Sequence, residues 1–410
     1  MKFSNRTWAS VLAGALALQP SVEARSAAEY ASDARDAIVV LNNNWYLVKS
    51  GIWDDAWWNS ANTLTTLADF ASVRLDIANK LNLGGFIRNT YNQAQKSRTH
   101  TLKQMGTMGM VASVDCIDVG NGCANKPEFA TFNFGVDADL DLDKRMFVNF
   151  INEFYDDQGW WALGLIRAYD VAQDREYLES AVKIFNDMET GLGGPCKGGI
   201  YWNKDRAYVN AISNELYLAV AASLAQRMPD NPTFLWAAKD QWKWFKGSGL
   251  INQNGLINDG LDDKCKNNGM ATWSYNQGVV VGGLVELWKV TGDDDLLKEA
   301  RTIAMAAIKR LSNKDGVLVE TDGCELRSGN CGRDGAQFKG IFIRNLRYLH
   351  EVAPQPEYRK FILKNADSIV EHNRNRLGKL GVAWQGPFTS ASAASHSSAL
   401  DALVAAAAVA

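Results

Sequence analysis

Two adjacent carboxyl groups, Asp156 and Asp157, stand shortly before the aromatic pair Trp160 and Trp161. Retaining glycosidases use two carboxyl groups about 5–5.5 Å apart, one as the nucleophile and the other as the general acid and base. Consecutive Cα atoms are about 3.8 Å apart, so two diverging side chains can span that separation. The pair therefore predicts glycosidase chemistry beside aromatic rings that can contact a sugar.

The segment after the pair is predicted to be a helix. Apolar residues recur there at helical spacing, at Trp161, Leu165, Ala168 and Tyr169, which places the aspartates in the first turn. A helix N-terminus favours an ionised carboxylate, whereas like-charge repulsion and a neighbouring indole raise the pKa of a second carboxyl. One carboxylate and one acid can then coexist. The alternative is that one aspartate only caps the helix, which would stabilise it by roughly 1 kcal/mol.

Helical segments of two kinds alternate along the chain. Six segments are rich in Ala, Gly, Leu and Val on several faces, which is typical of buried helices; they begin near Trp57, Asp157, Asn210, Asn276, Phe338 and Ala393. Six amphipathic segments lie between them, at 34–45, 83–97, 175–189, 233–246, 294–311 and 357–373. The starts of successive buried segments are mostly about 50 to 70 residues apart, which indicates a repeat architecture. We expect an all-α (α/α)6 barrel of six inner and six outer helices.

The N-terminus has the pattern of a secretory signal peptide, which we assign to residues 1–24. Lys2 and Arg6 precede an apolar run from Val11 to Leu18 that is too short to span a bilayer. No Pro-rich or Ser-rich linker divides the rest, so we expect one catalytic domain over residues 25–410, with an inserted loop at about 98–152. The protein is then secreted, either extracellular or associated with the cell wall, and without a membrane span.

Charge and cysteine usage narrow the class of protein. A formal net charge of -3 and the lack of a long Lys/Arg run argue against nucleic acid or an anionic membrane surface as a partner. Six cysteines in a secreted chain indicate disulfides rather than a metal cluster, although fifteen connectivities are possible. The pairing we favour joins Cys116 to Cys123, Cys196 to Cys265 and Cys324 to Cys331.

Polar and aromatic residues gather at the predicted starts of the inner helices. Donors, acceptors and rings at one end of a barrel suit an uncharged polyol. The candidate substrate-binding residues are Trp57, Trp58, Asn62, Trp160, Tyr201, Trp202, Asn214, Tyr275, Asn276, Gln277, Phe338 and Lys339. We expect Trp57, Trp160 and Tyr275 to face one shared cleft, although core packing is the alternative for several tryptophans.

Other chemistry-bearing patterns lack the required spacing. The four histidines are far apart and form neither a zinc motif nor a Ser/His/Asp triad. Aspartates alternate with apolar residues from Asp137 to Asp143, but Leu142 stands where a calcium-binding EF-hand needs glycine. Asp54 and Asp55 form a second acid pair, for which we expect capping or loop hydrogen bonding. We therefore predict no metal and no cofactor.

Five motifs in order resemble glycoside hydrolase family 76. They are Ala56 to Asn62, Tyr155 to Asp157 with Trp160 and Trp161, Asn210 to Asn214, Tyr275 to Gly278, and Phe338 to Ile341. The resemblance, which extends from about Ala34 onward, implies an (α/α)6 barrel and a retaining endo-α-1,6-mannanase. It also implies that Asp156 is the nucleophile and Asp157 the general acid/base. We expect a monomer that acts on α-1,6-linked mannan or manno-oligosaccharides.

Three alternatives remain open at this point. Some fungal members of the family are thought to be cell-wall transglycosidases on the mannan of lipid-anchored glycoproteins, and the motifs do not separate transfer from hydrolysis. A C-terminal lipid-anchor signal would favour the cell-wall enzyme. The apolar run Leu400 to Ala410 is short for such a signal, so we assign Ala393 to Val409 to the sixth inner helix. A non-catalytic mannan-binding protein would be expected to lack an aspartate. The third alternative is an (α/α)6 enzyme that acts on another polysaccharide; an acidic substrate would call for Arg and Lys at the pocket, and these motifs carry only Lys339.

Overall fold

Paired long helices make up most of the computed structural model, which describes residues 25–96, 102–105, 111–114, 149–327 and 329–410. The inner helices are α2 (Trp57–Val73), α5 (Tyr155–Ala172), α7 (Ala211–Arg227), α9 (Ser274–Thr291), α13 (Phe338–Val352) and α15 (Ala393–Val409). They are buried on nearly every face; in α7 every residue from Ala211 to Ala225 is buried. All six predicted starts are confirmed to within two residues.

The outer helices are amphipathic, as predicted. They are α1 (Ala27–Trp45), α4 (Leu83–Ala94), α6 (Arg175–Glu189), α8 (Pro232–Gly247), α10 (Asp294–Arg310) and α14 (Pro356–His372). Short helices are α3 (Leu75–Lys80), α11 (Cys324–Arg327) and α12 (Gly332–Gly335). Capping explains several starts: the side chain of Asp174 accepts from the N–H of Glu176, and Asn231 caps α8 with Pro232 at its first position. The largest difference is α1, which begins seven residues before the predicted start.

The inner helices form a closed ring. Each packs against the next along the chain, in the order α2, α5, α7, α9, α13 and α15, and α15 returns to pack against α2. Glycines allow the close approach: a Cβ on Gly278 would lie 2.7 Å from the Cα of Phe342, and one on Gly340 would lie 2.6 Å from the Cα of Ser398. The outer helices pack around this ring. The predicted (α/α)6 barrel, including Ala393 to Val409 as its sixth inner helix, is confirmed.

Three loops that lead from an outer helix to the next inner helix share one sequence pattern, in which glycine follows asparagine by three positions. The pairs are Asn252 with Gly255, Asn313 with Gly316, and Asn375 with Gly378. Each asparagine Oδ1 accepts two backbone N–H groups of its own loop. The glycines adopt φ values of 74°, 77° and 75°, which favour glycine. These tight loops fix the backbone at the N-terminal ends of the inner helices.

The strands are short. β1 (Tyr46–Leu47) pairs antiparallel with β2 (Ile52–Trp53) directly before α2. β3 (Leu102–Met105) pairs antiparallel with β4 (Val111–Val114) inside the interval predicted to be an inserted loop. Most of that interval lies outside the described residues, as do the predicted signal peptide and the predicted disulfide between Cys116 and Cys123.

Disulfides constrain three of the loops near the N-terminal ends of the inner helices. Cys196 is bonded to Cys265, and Cys324 to Cys331, so both predicted pairings are confirmed. Within the described ranges, the structure contains no helix long and apolar enough to cross a membrane.

Ion pairs join the inner helices near their C-terminal ends. Arg167 of α5 lies 2.5 Å from Asp69 of α2. Arg227 of α7 lies 2.5 Å from Asp170 of α5 and 2.8 Å from Glu286 of α9. Burial alone would raise the pKa of Asp69, but Arg167 and the neighbouring guanidinium groups lower it to about 2. This end of the ring is therefore crossed by charged side chains that pair with one another.

Candidate active site

A cavity within the barrel identifies which face of each inner helix points toward the axis. It is lined by Thr65 of α2, Trp160 and Leu163 of α5, Ala219 and Ser223 of α7, and Val279 and Gly282 of α9. Residues three or four positions apart share a helix face. One turn or two toward the N-terminus, these faces carry Trp58, Asp156, Glu215, Tyr275 and Asn276. The side chains of Trp58, Asp156, Glu215 and Tyr275 lie near one another at the N-terminal mouth of the barrel, where Asn276 also lies in the first turn of α9.

Four aromatic rings from four inner helices form an aromatic cluster at this mouth: Trp58, Trp160, Tyr275 and Phe338. The rings of Tyr275 and Phe338 are stacked with centroids 3.9 Å apart and an interplanar angle of 9°. Trp160 lies 6.3 Å from Tyr275, and Trp58 lies 5.8 Å from Trp160. The indole N–H of Trp58 donates to Asp334 at 2.9 Å. The cluster offers flat apolar surface beside Asp156, where a sugar ring can pack.

The two aspartates lie in the first turn of α5, as predicted, but neither caps it. The N-cap residue is Phe154, which makes no side-chain capping bond. Oδ2 of Asp156 accepts from the indole N–H of Trp202 at 3.0 Å. Oδ2 of the buried Asp157 accepts from the side-chain amide of Asn152 at 2.8 Å. The capping alternative is therefore wrong, because each carboxylate is held by a side chain from outside the helix.

Four carboxyl groups lie near Tyr275 of the aromatic cluster. The pKa of Tyr275 is raised well above its usual range by burial and by the nearby Asp259, Asp156, Glu215 and Asp334. Burial raises the pKa of Asp259 to about 6, although its carboxylate accepts from the hydroxyl of Tyr208 at 2.5 Å. A site with this charge can hold ionised and protonated carboxyls side by side near neutral pH.

Trp57 differs from the prediction that it shares a cleft with Trp160 and Tyr275. Its ring packs 5.5 Å from that of Trp161, and its indole N–H donates to the carbonyl of Ala94 at 3.1 Å. It is 1% exposed. The prediction is wrong because consecutive helical residues point about 100° apart; Trp58, rather than Trp57, faces the axis.

Lys339 also differs from its predicted role in substrate binding. Its ammonium group is fully buried and lies 2.7 Å from Oε1 of Glu325 and 2.7 Å from the carbonyl of Val382. It also lies over the ring of Trp384, 4.9 Å from the centroid. These partners occupy the ammonium group within the protein. Lys339 therefore joins the loop before α13 to the loop before α15.

Asn214 and Gln277 hold backbone groups. Oδ1 of Asn214 accepts from the N–H of Ile200 at 2.8 Å, and Nδ2 donates to its carbonyl at 2.9 Å. Gln277 pairs in the same way with Ile257, at 2.8 and 2.9 Å. Both amides are fully buried. Their hydrogen bonds fasten the loops that precede α7 and α9, and contact of either amide with a substrate stays a prediction.

Two further predicted binding residues, Asn62 and Tyr201, occupy different places, and so does the second acid pair. Asn62 lies one turn beyond Trp58 on the same helix face, and its Oδ1 accepts from Arg344 at 2.5 Å. Tyr201 lines a neighbouring pocket of about 280 Å³ together with Tyr208, Asn268 and other loop residues. The predicted acid pair Asp54 and Asp55 lies in the turn before α2, where Asp54 accepts from the N–H of Ala393 at 3.5 Å, which matches the loop hydrogen bonding that we expected.

Five residues at the site were not predicted: Asn152, Tyr208, Glu215, Asp259 and Asp334. Glu215 carried a usable signal, because it is the only charged residue between Ala211 and Gln226 of α7. A carboxyl group in a helix that is buried all round is rare unless it has a function or a partner. Asn152, Tyr208 and Asp259 lie in loops, and Asp334 lies in the short helix α12.

The family model of glycosyl hydrolase family 76 matches residues 143–409, which is more than half of the chain. The chain belongs to glycosyl hydrolase family 76. Among curated relatives, a mannan endo-1,6-alpha-mannosidase of Candida albicans is 29% identical over 226 residues, covering 51% of this chain and 49% of that protein. One from Eremothecium gossypii is 30% identical over 218 residues, covering 49% and 47%. The matches thus span about half the length of these relatives.

Solved structures share the fold. An inactive variant of an α-1,6-mannanase from a Salegentibacter species, in complex with α-1,6-mannotetrose, has a TM-score of 0.69 at 19% identity and covers 93% of this chain and 99% of that one. Two consecutive aspartates are replaced by alanine in that variant. Dfg5 from Chaetomium thermophilum, in complex with glucosamine, has a TM-score of 0.71 at 18% identity, with coverage of 94% and 92%.

Proposed function

We propose that this protein is a secreted, retaining endo-α-1,6-mannanase whose catalytic domain spans residues 25–410. The observation that carries the proposal is the position of Asp156 at the mouth of the barrel, beside Asp157 and within reach of the aromatic cluster. Membership of family 76 and the names of the curated relatives support α-1,6-mannan as the substrate. The inactive Salegentibacter variant supports a catalytic role for two consecutive aspartates.

In the proposed mechanism, Asp157 is the general acid and Asp156 the nucleophile. Asp157 protonates the departing glycosidic oxygen while Asp156 attacks the anomeric carbon, which forms a covalent glycosyl-enzyme and breaks the glycosidic bond. Asp157, now a carboxylate, takes a proton from water, and the water displaces Asp156 with net retention. Trp202 favours the ionised form of Asp156 by donating to it, and Asn152 orients Asp157.

Product sizing tests the overall activity. The protein is incubated with linear α-1,6-mannan, with and without an α-1,6-mannobiose acceptor. Shorter products alone support hydrolysis. Products longer than the acceptor support transfer, since a sugar hydroxyl can replace water in the second step. Binding of mannan without any new product would identify a non-catalytic mannan-binding protein and contradict the proposal.

Azide rescue tests the two roles separately, with Asp240→Ala, an exposed change on α8, as the control. Asp156→Ala should remove nearly all turnover, because no glycosyl-enzyme can form. Asp157→Ala should retain activity on substrates with acidic leaving groups, and azide should attack its glycosyl-enzyme to give a product of retained configuration. Azide with Asp156→Ala should give an inverted product. The opposite stereochemistry would reverse the assignment, and normal turnover in both variants would refute it.

A further inference from the structure

Glu215 has no hydrogen-bond partner for either carboxyl oxygen in the part of the chain that the structure describes, although it is 0% exposed. It lies one turn before Ala219 on the axis-facing side of α7. Buried carboxyl groups in proteins are nearly always paired or hydrogen-bonded, because burial without a partner costs free energy. A partner that enters the barrel from outside would satisfy both oxygens.

The surroundings of Glu215 favour its neutral form. Burial, reinforced by the negative charge of Asp259, raises the pKa of Glu215 well above its usual range. Asp259 itself is occupied by the hydroxyl of Tyr208. A protonated carboxyl donates one hydrogen bond through its O–H group and accepts others through its carbonyl oxygen. Glu215 can thus contact two hydroxyl groups at once, one as a donor and one as an acceptor.

Asn276 presents a second unsatisfied group at the same mouth. It is 0% exposed, and neither its amide nitrogen nor its amide oxygen has a hydrogen-bond partner among the described residues. It lies three residues before Val279, which lines the cavity within the barrel, in the first turn of α9, the helix that packs against α7. Its neighbour Tyr275 belongs to the aromatic cluster. The two neighbouring helices therefore each present one buried, unpaired donor and acceptor beside an aromatic surface.

We propose that Glu215 and Asn276 bind hydroxyl groups of the sugar ring whose anomeric carbon faces Asp156, and that Glu215 is a specificity-determining residue for that ring. This inference rests on the proposed mannanase function. Buried groups that hydrogen-bond a substrate hydroxyl reject analogues that lack it, since the site would otherwise keep an unpaired polar group. Glu215 thus selects a ring by its hydroxyl pattern, while the aromatic cluster contacts its apolar face.

Binding to a non-turning-over protein tests the inference. In an Asp156→Asn background, the affinity for α-1,6-mannotriose is measured by calorimetry for Glu215→Gln and Glu215→Leu. Glutamine keeps one donor and one acceptor, so affinity should change by no more than about threefold. Leucine has similar size and no polar atom, so affinity should fall roughly ten- to a hundredfold. Glu179→Gln and Glu179→Leu, on the exposed side of α6, are the matched controls.

Thermal unfolding and deoxy sugars separate binding from structure. Glu215→Leu should melt at or above the temperature of its parent, because it removes a buried unpaired carboxyl; a purely structural Glu215 would give the opposite result. At least one mannotriose that lacks a single hydroxyl group should bind the parent protein more weakly than mannotriose does. The same deoxy sugar should bind Glu215→Leu as tightly as mannotriose binds Glu215→Leu. Unchanged mannotriose affinity in a folded Glu215→Leu protein, or equal losses for leucine and glutamine, would overturn the inference. If the parent protein binds no mannotriose, the proposed function fails, and the inference with it.

Discussion

The indole N–H of Trp202 donates to Oδ2 of Asp156 at 3.0 Å, although the two residues belong to different elements of the fold. Trp202 lies in the loop between α6 and α7. Its backbone carbonyl accepts from the N–H of Tyr155 at 2.9 Å, and its own N–H donates to the carbonyl of Tyr208 at 2.8 Å. The loop is thus joined to the start of α5 through both backbone and side chain, which fixes the indole against the carboxylate.

Trp202→Phe should remove the hydrogen bond to Asp156 while keeping an aromatic ring. Hydrogen bonds to charged groups contribute about 1.5–3 kcal/mol, so we expect kcat/KM on α-1,6-mannan to fall roughly ten- to a hundredfold. The acid limb of the pH–rate profile should move to higher pH, because a carboxylate that loses a donor has a higher pKa. Trp236→Phe, at a side chain that is 63% exposed on α8, is the control. An unmoved acid limb would argue against a role in ionising Asp156.

Trp57 and Trp58 should respond in opposite ways to replacement by alanine. Trp58→Ala removes a ring of the aromatic cluster, so KM for mannan should rise. Trp57→Ala empties a buried site beside Trp161, so the free energy of unfolding should fall by about 3–5 kcal/mol, while kcat/KM per folded molecule stays near the parent value. Steady-state kinetics together with chemical denaturation measure both effects. A higher KM for Trp57→Ala with unchanged stability would restore the original prediction for Trp57.

Lys339→Met should leave Glu325 as a buried carboxylate without its cation. Breaking a buried ion pair in this way costs about 3–5 kcal/mol of unfolding free energy. The double change Lys339→Met with Glu325→Gln should be more stable than Lys339→Met alone, since glutamine carries no charge and its oxygen can still accept from the N–H of Glu320, now at 3.0 Å. Urea denaturation of the single and double variants measures the difference. Equal stability of parent and Lys339→Met would contradict the role assigned to this lysine.

His396 should make the stability of the fold sensitive to acid. Burial lowers its pKa to about 4, and its Nδ1 accepts from the N–H of Leu380 at 2.9 Å. Folding therefore favours the neutral ring. Its contribution is fully present above the unfolded pKa near 6.5 and is lost as the pH falls toward about 4, a change of up to about 3 kcal/mol. His396→Gln should show a smaller loss of unfolding free energy over that interval, and an identical pH dependence would refute the assignment.

The sequence was sufficient to predict the barrel because its inner helices are rich in Ala, Gly, Leu and Val on several faces and alternate with amphipathic segments. It could not distinguish Trp57 from Trp58, because the rotation of a helix about its axis depends on its packing partners. Lys339 was misassigned for a related reason: its partner Glu325 lies fourteen positions earlier, in a short helix that the periodicity did not predict.

The sequence also does not show which side-chain amides near the starts of the inner helices are hydrogen-bonded to the backbone. Asn214 and Gln277 resemble sugar ligands by residue type, yet their partners are backbone groups of Ile200 and Ile257. Asn276, the immediate neighbour of Gln277, has no such partner among the described residues. Residue type gives hydrogen-bonding capacity, but only the folded loops determine which amides are already occupied.

The hydroxyl of Thr66 in α2 donates to the carboxylate of Asp401 in α15 at 2.7 Å, across a separation of 335 positions. Contacts between such distant segments raise the contact order, and chains with high contact order fold slowly because loop-closure entropy is lost before those contacts form. Asp156 and Trp202 are only 46 positions apart. During refolding, we expect the local geometry around Asp156 to form early, whereas the enclosed cleft can form only after α15 has docked. Tryptophan fluorescence should therefore recover before hydrolytic activity does.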